Sequence, residues 1–156
     1  MAKLGVITDG ISTDFEHALK IMSQNNLDQA ELQYLWDKEV GDFDKSEVDK
    51  IEELLKKYSM DVSCISRHNF AGIGVHDVNI GDDTYNHHME KLKECIDMAK
   101  RLNSPLVRIM SFRKEMVLFG EHVHTQQSVG AAPDRIVQHV LVRVHQSTGT
   151  EGVENG

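Results

Sequence analysis

The chain alternates between two hydrophobic periods, and that alternation restricts its fold more than any other feature. Short strand-forming runs at Leu4 to Thr8, Ala30 to Leu35, Val62 to Ser66 and Leu106 to Met110 are separated by stretches with apolar residues every three or four positions. The first such stretch aligns Phe15, Ala18, Leu19 and Met22 behind Thr13 and Glu16 at capping-box spacing, and stops at Asn25-Asn26. The second aligns Val48, Ile51, Leu54, Leu55 and Tyr58 behind Asp44 or Ser46 as N-cap and ends at Ser59-Met60. The third, capped by Asp82 or Asp83, runs through Tyr85, Met89, Leu92, Cys95, Ile96, Ala99 and Leu102 to Lys100 and Arg101 in a last turn that suits cations. Asn103-Ser104-Pro105 then breaks it.

A helix between every pair of strands implies parallel neighbours joined by right-handed crossovers, so the expected class is α/β with parallel (βα) repeats. A doubly wound sheet and a (β/α)8 barrel both begin this way. The first strand-to-helix turn has no G-x-G-x-x-G or G-x-x-x-x-G-K-[ST] pattern, and polar residues interrupt several strands. The pattern therefore favours the first half of a TIM-type barrel over residues 1–120, with Trp36 to Phe43 and Phe70 to Gly74 as loops. Residues 121–156 form an atypical tail in which Lys is absent and His122, His124, His139 and His145 occur. There Pro133 to Val137 can start a helix continued by Val140, Leu141 and Val144, but Val140 to Val144 fits a strand equally. The last ten residues are small and polar and are expected to fray.

Bulk properties narrow the function classes. A length of 156 residues suits one domain, and no apolar run nears the roughly 18 residues of a membrane helix. The start of the chain lacks the pattern of a secretory leader, so a cytoplasmic location is expected. With 17 basic against 25 acidic residues there is no basic field for phosphate backbones, which argues against nucleic acid as partner. Cys64 and Cys95 fall on apolar positions and read as buried free thiols.

A (β/α) barrel builds its site at the C-terminal ends of its strands, which brings Asp9, Trp36, Arg67, His68, Asn69 and Ser111 to Arg113 to one rim. His68 reads either as a general base or ligand for substrate, or as a hydrogen-bonded rim histidine, while Arg67 alternates to the other face and reads as structural. Glu31, Gln33 and Arg108 are polar positions inside strands and must either pair internally or face a wet cavity where Arg108 recognises an oxyanion. Alternate barrel strands supply one layer of side chains, so Glu31 or Gln33 is expected to meet Arg108. His122 and His124 have the spacing of a metal-ligand pair on a strand, a weak signal, and His87-His88 reads as a solvated helix face.

The segments KLGVITDGISTDFEHAL, AELQYLWDKEVGD, DVSCISRHNFAGI and SPLVRIMSFRKEMVLFG together resemble the N-terminal half of the sugar phosphate isomerase/epimerase family, in the xylose isomerase-like TIM-barrel superfamily. The resemblance covers about Lys3 to Gly120. It implies a divalent-metal enzyme (Mn, Mg, Co or Zn) that moves a proton or hydride between adjacent carbons of a sugar or sugar phosphate. Carried onto this chain, it implies His68 as the catalytic residue and Glu31, Trp36, Asn69 and Arg108 as substrate-binding residues. The family's metal ligands lie on later strands, and only Glu154, in Val153-Glu154-Asn155-Gly156, matches one of them. A full barrel takes about 250 residues, so the resemblance implies a truncated or frame-disturbed version with no tightly bound metal and little activity. Two alternatives stand beside it: a non-catalytic half barrel that self-associates through open sheet edges, and a zinc protein of the AP-endonuclease branch, which the acidic charge disfavours.

Overall fold

The structure, a computed structural model, describes residues 3–110, 112 and 139–143. Its elements are β1 (Gly5–Ile7), α1 (Phe15–Gln24), β2 (Gln29–Leu32), β3 (Tyr34–Leu35), β4 (Lys38–Glu39), α2 (Lys45–Tyr58), β5 (Asp61–Arg67), α3 (Asp83–Arg101), β6 (Leu106–Met110) and β7 (His139–Arg143). The main sheet has the order β1-β2-β5-β6-β7, and its first four strands are parallel neighbours in chain order, as the helices between them require. β7 runs antiparallel to β6, from Leu106 opposite Arg143 to Met110 opposite His139. Of the two readings of the tail, the strand holds for residues 139–143 and the helical continuation through Val140 and Leu141 does not. A run with two β-branched residues there completes the hydrogen bonds of an otherwise unpaired β6 edge. Residues 133–137, His122, His124, Ser111, Arg113 and Glu154 lie outside the described residues.

Sequential order with crossovers of one hand places all three helices on the same side of the sheet. One continuous core accordingly joins Phe15, Leu19 and Met22 of α1, Ile51, Leu54 and Leu55 of α2, and Cys95, Met98 and Ala99 of α3 to Ala30, Leu32, Val62, Ile65 and Val107 of the strands. Both thiols are buried and unpaired, and burial pushes that of Cys95 up to about 12. Between β2 and β5 the register shifts: Ala30 faces Val62 but Glu31 faces Cys64, so Ser63 is an inserted residue whose hydroxyl donates to the Ala30 carbonyl at 3.1 Å. This bulge sets Cys64 and Ser66 on the same face as Glu31, away from the helices.

The helix ends follow local chemistry. Asp44 and Glu47 form a reciprocal capping box on α2, Ser59 closes that helix in the left-handed conformation, and Asp82 caps α3 through the Tyr85 N–H at 2.7 Å. On α1 the cap is Asp14, accepting from the His17 N–H at 3.1 Å, rather than Thr13. Asp14 is a carboxylate facing the positive end of the helix, and the Ser12 hydroxyl steadies its own N–H at 3.1 Å.

Gly41, at φ 94°, sits where the chain passes between β4 and α3. A Cβ there would lie 3.2 Å from Cys95 Sγ and 3.3 Å from both Arg67 Nη1 and the Lys91 carbonyl. Gly41→Ala combines a disfavoured backbone with a collision, and is expected to lower the unfolding free energy by more than about 1 kcal/mol in a urea titration. An unchanged midpoint would mean that this passage is loosely held.

Candidate functional site

The four parallel strands end at one edge, and the chemistry there is assembled by a hairpin. Strand β2 stops at Leu32, three residues short of the expected run to Leu35, because the chain turns into β3 and β4, which pair Tyr34 with Glu39 and Leu35 with Lys38. The region read as a polar loop from Trp36 onward thus contains half of a two-residue hairpin. Its turn residues Trp36 and Asp37 have φ of 50° and 63°, a left-handed pair that Asn-Gly normally fills. Surrounding contacts hold this conformation. The Trp36 N–H donates to the Thr13 carbonyl at 2.7 Å, its ring meets Phe15 and Phe43 edge-on at 5.8 and 6.3 Å, and Lys50 Nζ lies 4.4 Å over it. Trp36 is therefore half-buried, packed between α1, α2 and the chain that follows the hairpin.

The hairpin carries Glu39 to His68, the residue that follows β5. Glu39 Oε1 accepts from the His68 main-chain N–H at 2.8 Å and lies 2.8 Å from His68 Nδ1. Gln33 Nε2 lies 2.9 Å from His68 Nε2 and 3.1 Å from Nδ1, over the ring, and the Tyr34 hydroxyl lies 3.4 Å from Nδ1. Burial, and then the nearby Glu39 charge, push the Tyr34 hydroxyl above the usual phenol range, so it stays a hydrogen-bond donor at neutral pH. His68 keeps about a third of its side chain exposed (32%), which leaves an approach for a small polar molecule.

Beneath this cluster Arg67, buried on the helix side, donates to the Val40 carbonyl and reaches Asp42 Oδ2 at 3.2 Å and Glu39 Oε2 at 3.5 Å. Lys91 of α3 reaches the other Asp42 oxygen at 3.0 Å and the Gly41 carbonyl at 3.0 Å. Burial raises the Asp42 pKa, but Lys91 and Arg67 together outweigh it and hold the carboxyl below the usual range. Arg67 is structural, as its place in the alternation suggests.

On the opposite sheet face Glu31 and Arg108 meet. Arg108 Nη2 lies 2.6 Å from Glu31 Oε1, Arg108 Nε donates to Ser66 Oγ at 3.0 Å, and the Ser66 hydroxyl donates to the same Glu31 oxygen. Gln33, the other residue considered for Arg108, goes to His68 instead because the chain has already turned. Asn69 is fully buried: its Nδ2 donates to the His88 carbonyl at 2.9 Å, and its Oδ1 has no partner among the described residues. The next residue, Phe70, at φ 56°, stacks between His88 at 4.5 Å and Phe112 at 4.4 Å. His88 is thus half-buried and not on a solvated face, and burial followed by the charge of His87 lowers its pKa.

Asp9, a further rim residue, accepts weakly from the Tyr34 N–H at 3.4 Å. The structure therefore gathers His68 with Gln33, Tyr34 and Glu39, and Glu31 with Ser66 and Arg108. Trp36 packs edge-on against Phe15 and Phe43, and Asn69 is buried against the His88 carbonyl. Among the described residues no three His, Cys, Asp or Glu side chains converge as a metal-ligand group. A groove of about 860 Å³ lies at the other end of the sheet, lined by Leu55, Met60, Asp61, Arg101 and Leu106, and holds none of these residues. Also among the described residues, no helix is long and apolar enough to cross a membrane. No protein-family model matches the chain, and no curated protein does.

Proposed function

We propose that the chain forms one wall of a xylose isomerase-like (β/α)8 barrel whose strand ends bind a small polyhydroxylated molecule, a sugar or sugar phosphate, as the isomerase/epimerase family does. The observation that carries this reading is the cluster of His68, Glu39, Gln33 and Tyr34 at the C-terminal edge of a parallel sheet whose helices all lie on one side. A doubly wound sheet puts helices on both sides and binds at a reversal of strand order, which the described strands lack. In this reading His68 Nε2 accepts the proton of a sugar hydroxyl and Tyr34 donates to a neighbouring oxygen. Arg108 stays with Glu31 and supports the wall, or turns toward a phosphate when one is bound.

The divalent metal of the family would need about three or four convergent protein ligands. The described residues do not fit that requirement, because Glu39 already spans the main-chain N–H and Nδ1 of His68, and among the described residues no third His, Cys, Asp or Glu side chain joins these two. A second reading has its own support: β7 runs antiparallel where the fifth strand of a barrel would be parallel, which fits a non-catalytic sheet whose remaining edge pairs with another chain.

Metal analysis after dialysis, with turnover assays on aldoses, ketoses and their phosphates, tests the first reading against the second. We expect no stoichiometric Zn, Mn, Co or Mg and little turnover, with sugar-induced NMR shifts at His68 and Tyr34. One tightly held metal per chain together with turnover would show that residues beyond the described ones complete an enzyme site. Absence of any sugar-induced shift would leave the non-catalytic reading.

A further inference from the structure

The imidazole of His68 is braced at one nitrogen and across one face. We propose that Glu39 is a positioning residue: it holds His68 as the Nδ1–H tautomer and so makes Nε2 the ring's acceptor, to which a ligand hydroxyl donates. The inference deepens the sugar-binding reading and rests on it for the identity of the ligand, but not for the state of the imidazole.

The donors around Glu39 give the tautomer. Its Oε1 accepts the His68 main-chain N–H at 2.8 Å and lies 2.8 Å from Nδ1, while Oε2 faces the buried Arg67 guanidinium at 3.5 Å. A proton on either oxygen would point at another donor, so the carboxylate has none to give and Nδ1 is the group that donates. In a neutral ring Nε2 then carries the lone pair. Gln33 does not take it up. Its amide nitrogen is 2.9 Å from Nε2 and 3.1 Å from Nδ1, nearly equal separations that an approach in the ring plane cannot give without striking the carbon between the two nitrogens. The amide therefore rests on the ring face, and because Gln33 is buried it fixes the plane in which the Nε2 lone pair lies. The brace is set by neighbours in the chain. Arg67 and His68 are consecutive at the end of β5, and one carboxylate holds both, while β3 fixes Glu39 through its pairing with Tyr34. The Tyr34 hydroxyl is a weaker candidate for the same task, since it lies farther from Nδ1, at 3.4 Å. The Glu39 carboxylate also faces the positive charge that grows on the ring as Nε2 takes a share of a ligand's proton. His68 is one-third exposed, which leaves room for such a ligand. The arrangement calls for a molecule with hydroxyl hydrogens to donate and does not serve one in which every oxygen is capped.

The test needs no turnover. Nitrogen-15 NMR of the ring nitrogens, at a pH where the imidazole is neutral, reads the tautomer of each histidine separately. In the wild-type chain His68 is expected to carry its proton on Nδ1, against the Nε2–H form that a free histidine side chain prefers. Tyr34→Phe is expected to leave it there. Glu39→Gln keeps a carbonyl oxygen for the two N–H groups of His68 and is expected to retain the Nδ1–H form, whereas Glu39→Ala is expected to lose it. A proton on Nε2 in wild type overturns the proposal whatever the variants do, and so does a folded Glu39→Ala chain that keeps the wild-type tautomer. In a second arm, a ketopentose and a hexose phosphate are expected to shift the Nε2 resonance, while a hexose with every hydroxyl methylated has no effect. Glu39→Ala is expected to raise the sugar concentration needed by about fivefold to tenfold, the value of one hydrogen bond. A sugar that shifts Tyr34 but leaves Nε2 unmoved overturns the acceptor role. If the Nδ1–H form is found but no sugar shifts either residue, the sugar reading falls and the assignment of Glu39 stands.

Discussion

Arg67→Ala is expected to lower the free energy of unfolding by about 3–5 kcal/mol, the range for breaking a buried ion pair by deleting one partner. The guanidinium is one of the most enclosed charges described, at 9% side-chain exposure, and ties three points of one loop together: the Val40 carbonyl, Asp42 and Glu39. Deleting it leaves Glu39 facing its cavity with only His68 in support, and leaves Asp42 to Lys91 alone. Arg67→Met retains the stem and should recover only the packing part of the loss. The pH dependence has a definite sign. The Asp42 carboxyl is lowered in the folded state relative to about 3.9 in an unfolded chain. Its contribution is therefore present above that value and is lost as pH falls through the lowered one. The difference between wild type and Arg67→Ala should be full at pH 7 and shrink as pH falls below about 4 and through the lowered Asp42 pKa. Urea titrations at the two pH values decide it. A deficit under about 1 kcal/mol at neutral pH would mean that Arg67 is no better than a surface charge.

That loop also marks where sequence reasoning reached its limit. The helices were legible because each buries one stripe, and the core residues of α2, Ile51, Leu54 and Leu55, are those that the spacing picks out. The parallel order of β1, β2, β5 and β6 followed from the helices between them. The β3–β4 hairpin was hidden because its turn is Trp-Asp, which carries no turn signature. Its left-handed residues are stabilised by Phe15, Phe43 and Thr13, none of them adjacent to the turn in sequence. Met89 illustrates the reverse error: it fits the α3 stripe but is 41% exposed, because the first turns of that helix run beyond the core.

The site was legible in proportion to how unusual each residue is in a buried strand. Glu31 and Arg108 stood out because an unpaired buried charge is expensive, and they do meet. His68 stood out because it ends a strand. Glu39 did not, since an acidic residue in a polar stretch has no local signal, and its role appears only when the hairpin folds back. Ser66, between Glu31 and Arg108, read as an ordinary strand residue until the bulge at Ser63 set its face.

The Glu31, Ser66 and Arg108 triad yields a prediction that separates its two readings, internal ion pair and ligand-recognition group. Each charge retains 20% exposure, so the pair is partly solvated and either single change, Arg108→Leu or Glu31→Leu, should destabilise by about 1.5–3 kcal/mol, the range for hydrogen bonds to charged groups. Removing Arg108 strands a carboxylate that only Ser66 satisfies. Removing Glu31 strands a guanidinium beside the same hydroxyl. The double variant strands neither charge, and replacing a buried pair by apolar residues of similar volume is often neutral. Glu31→Leu with Arg108→Leu should therefore return to within about 1 kcal/mol of wild type. Single losses that simply add in the double variant would show that the two residues act separately. Restored stability makes the functional question answerable: if Arg108 also receives a phosphate, the stable double variant will have lost the ability of a hexose phosphate, but not of the neutral hexose, to perturb His68. If both sugars act on it as they do on wild type, the triad serves the wall of the sheet and nothing more.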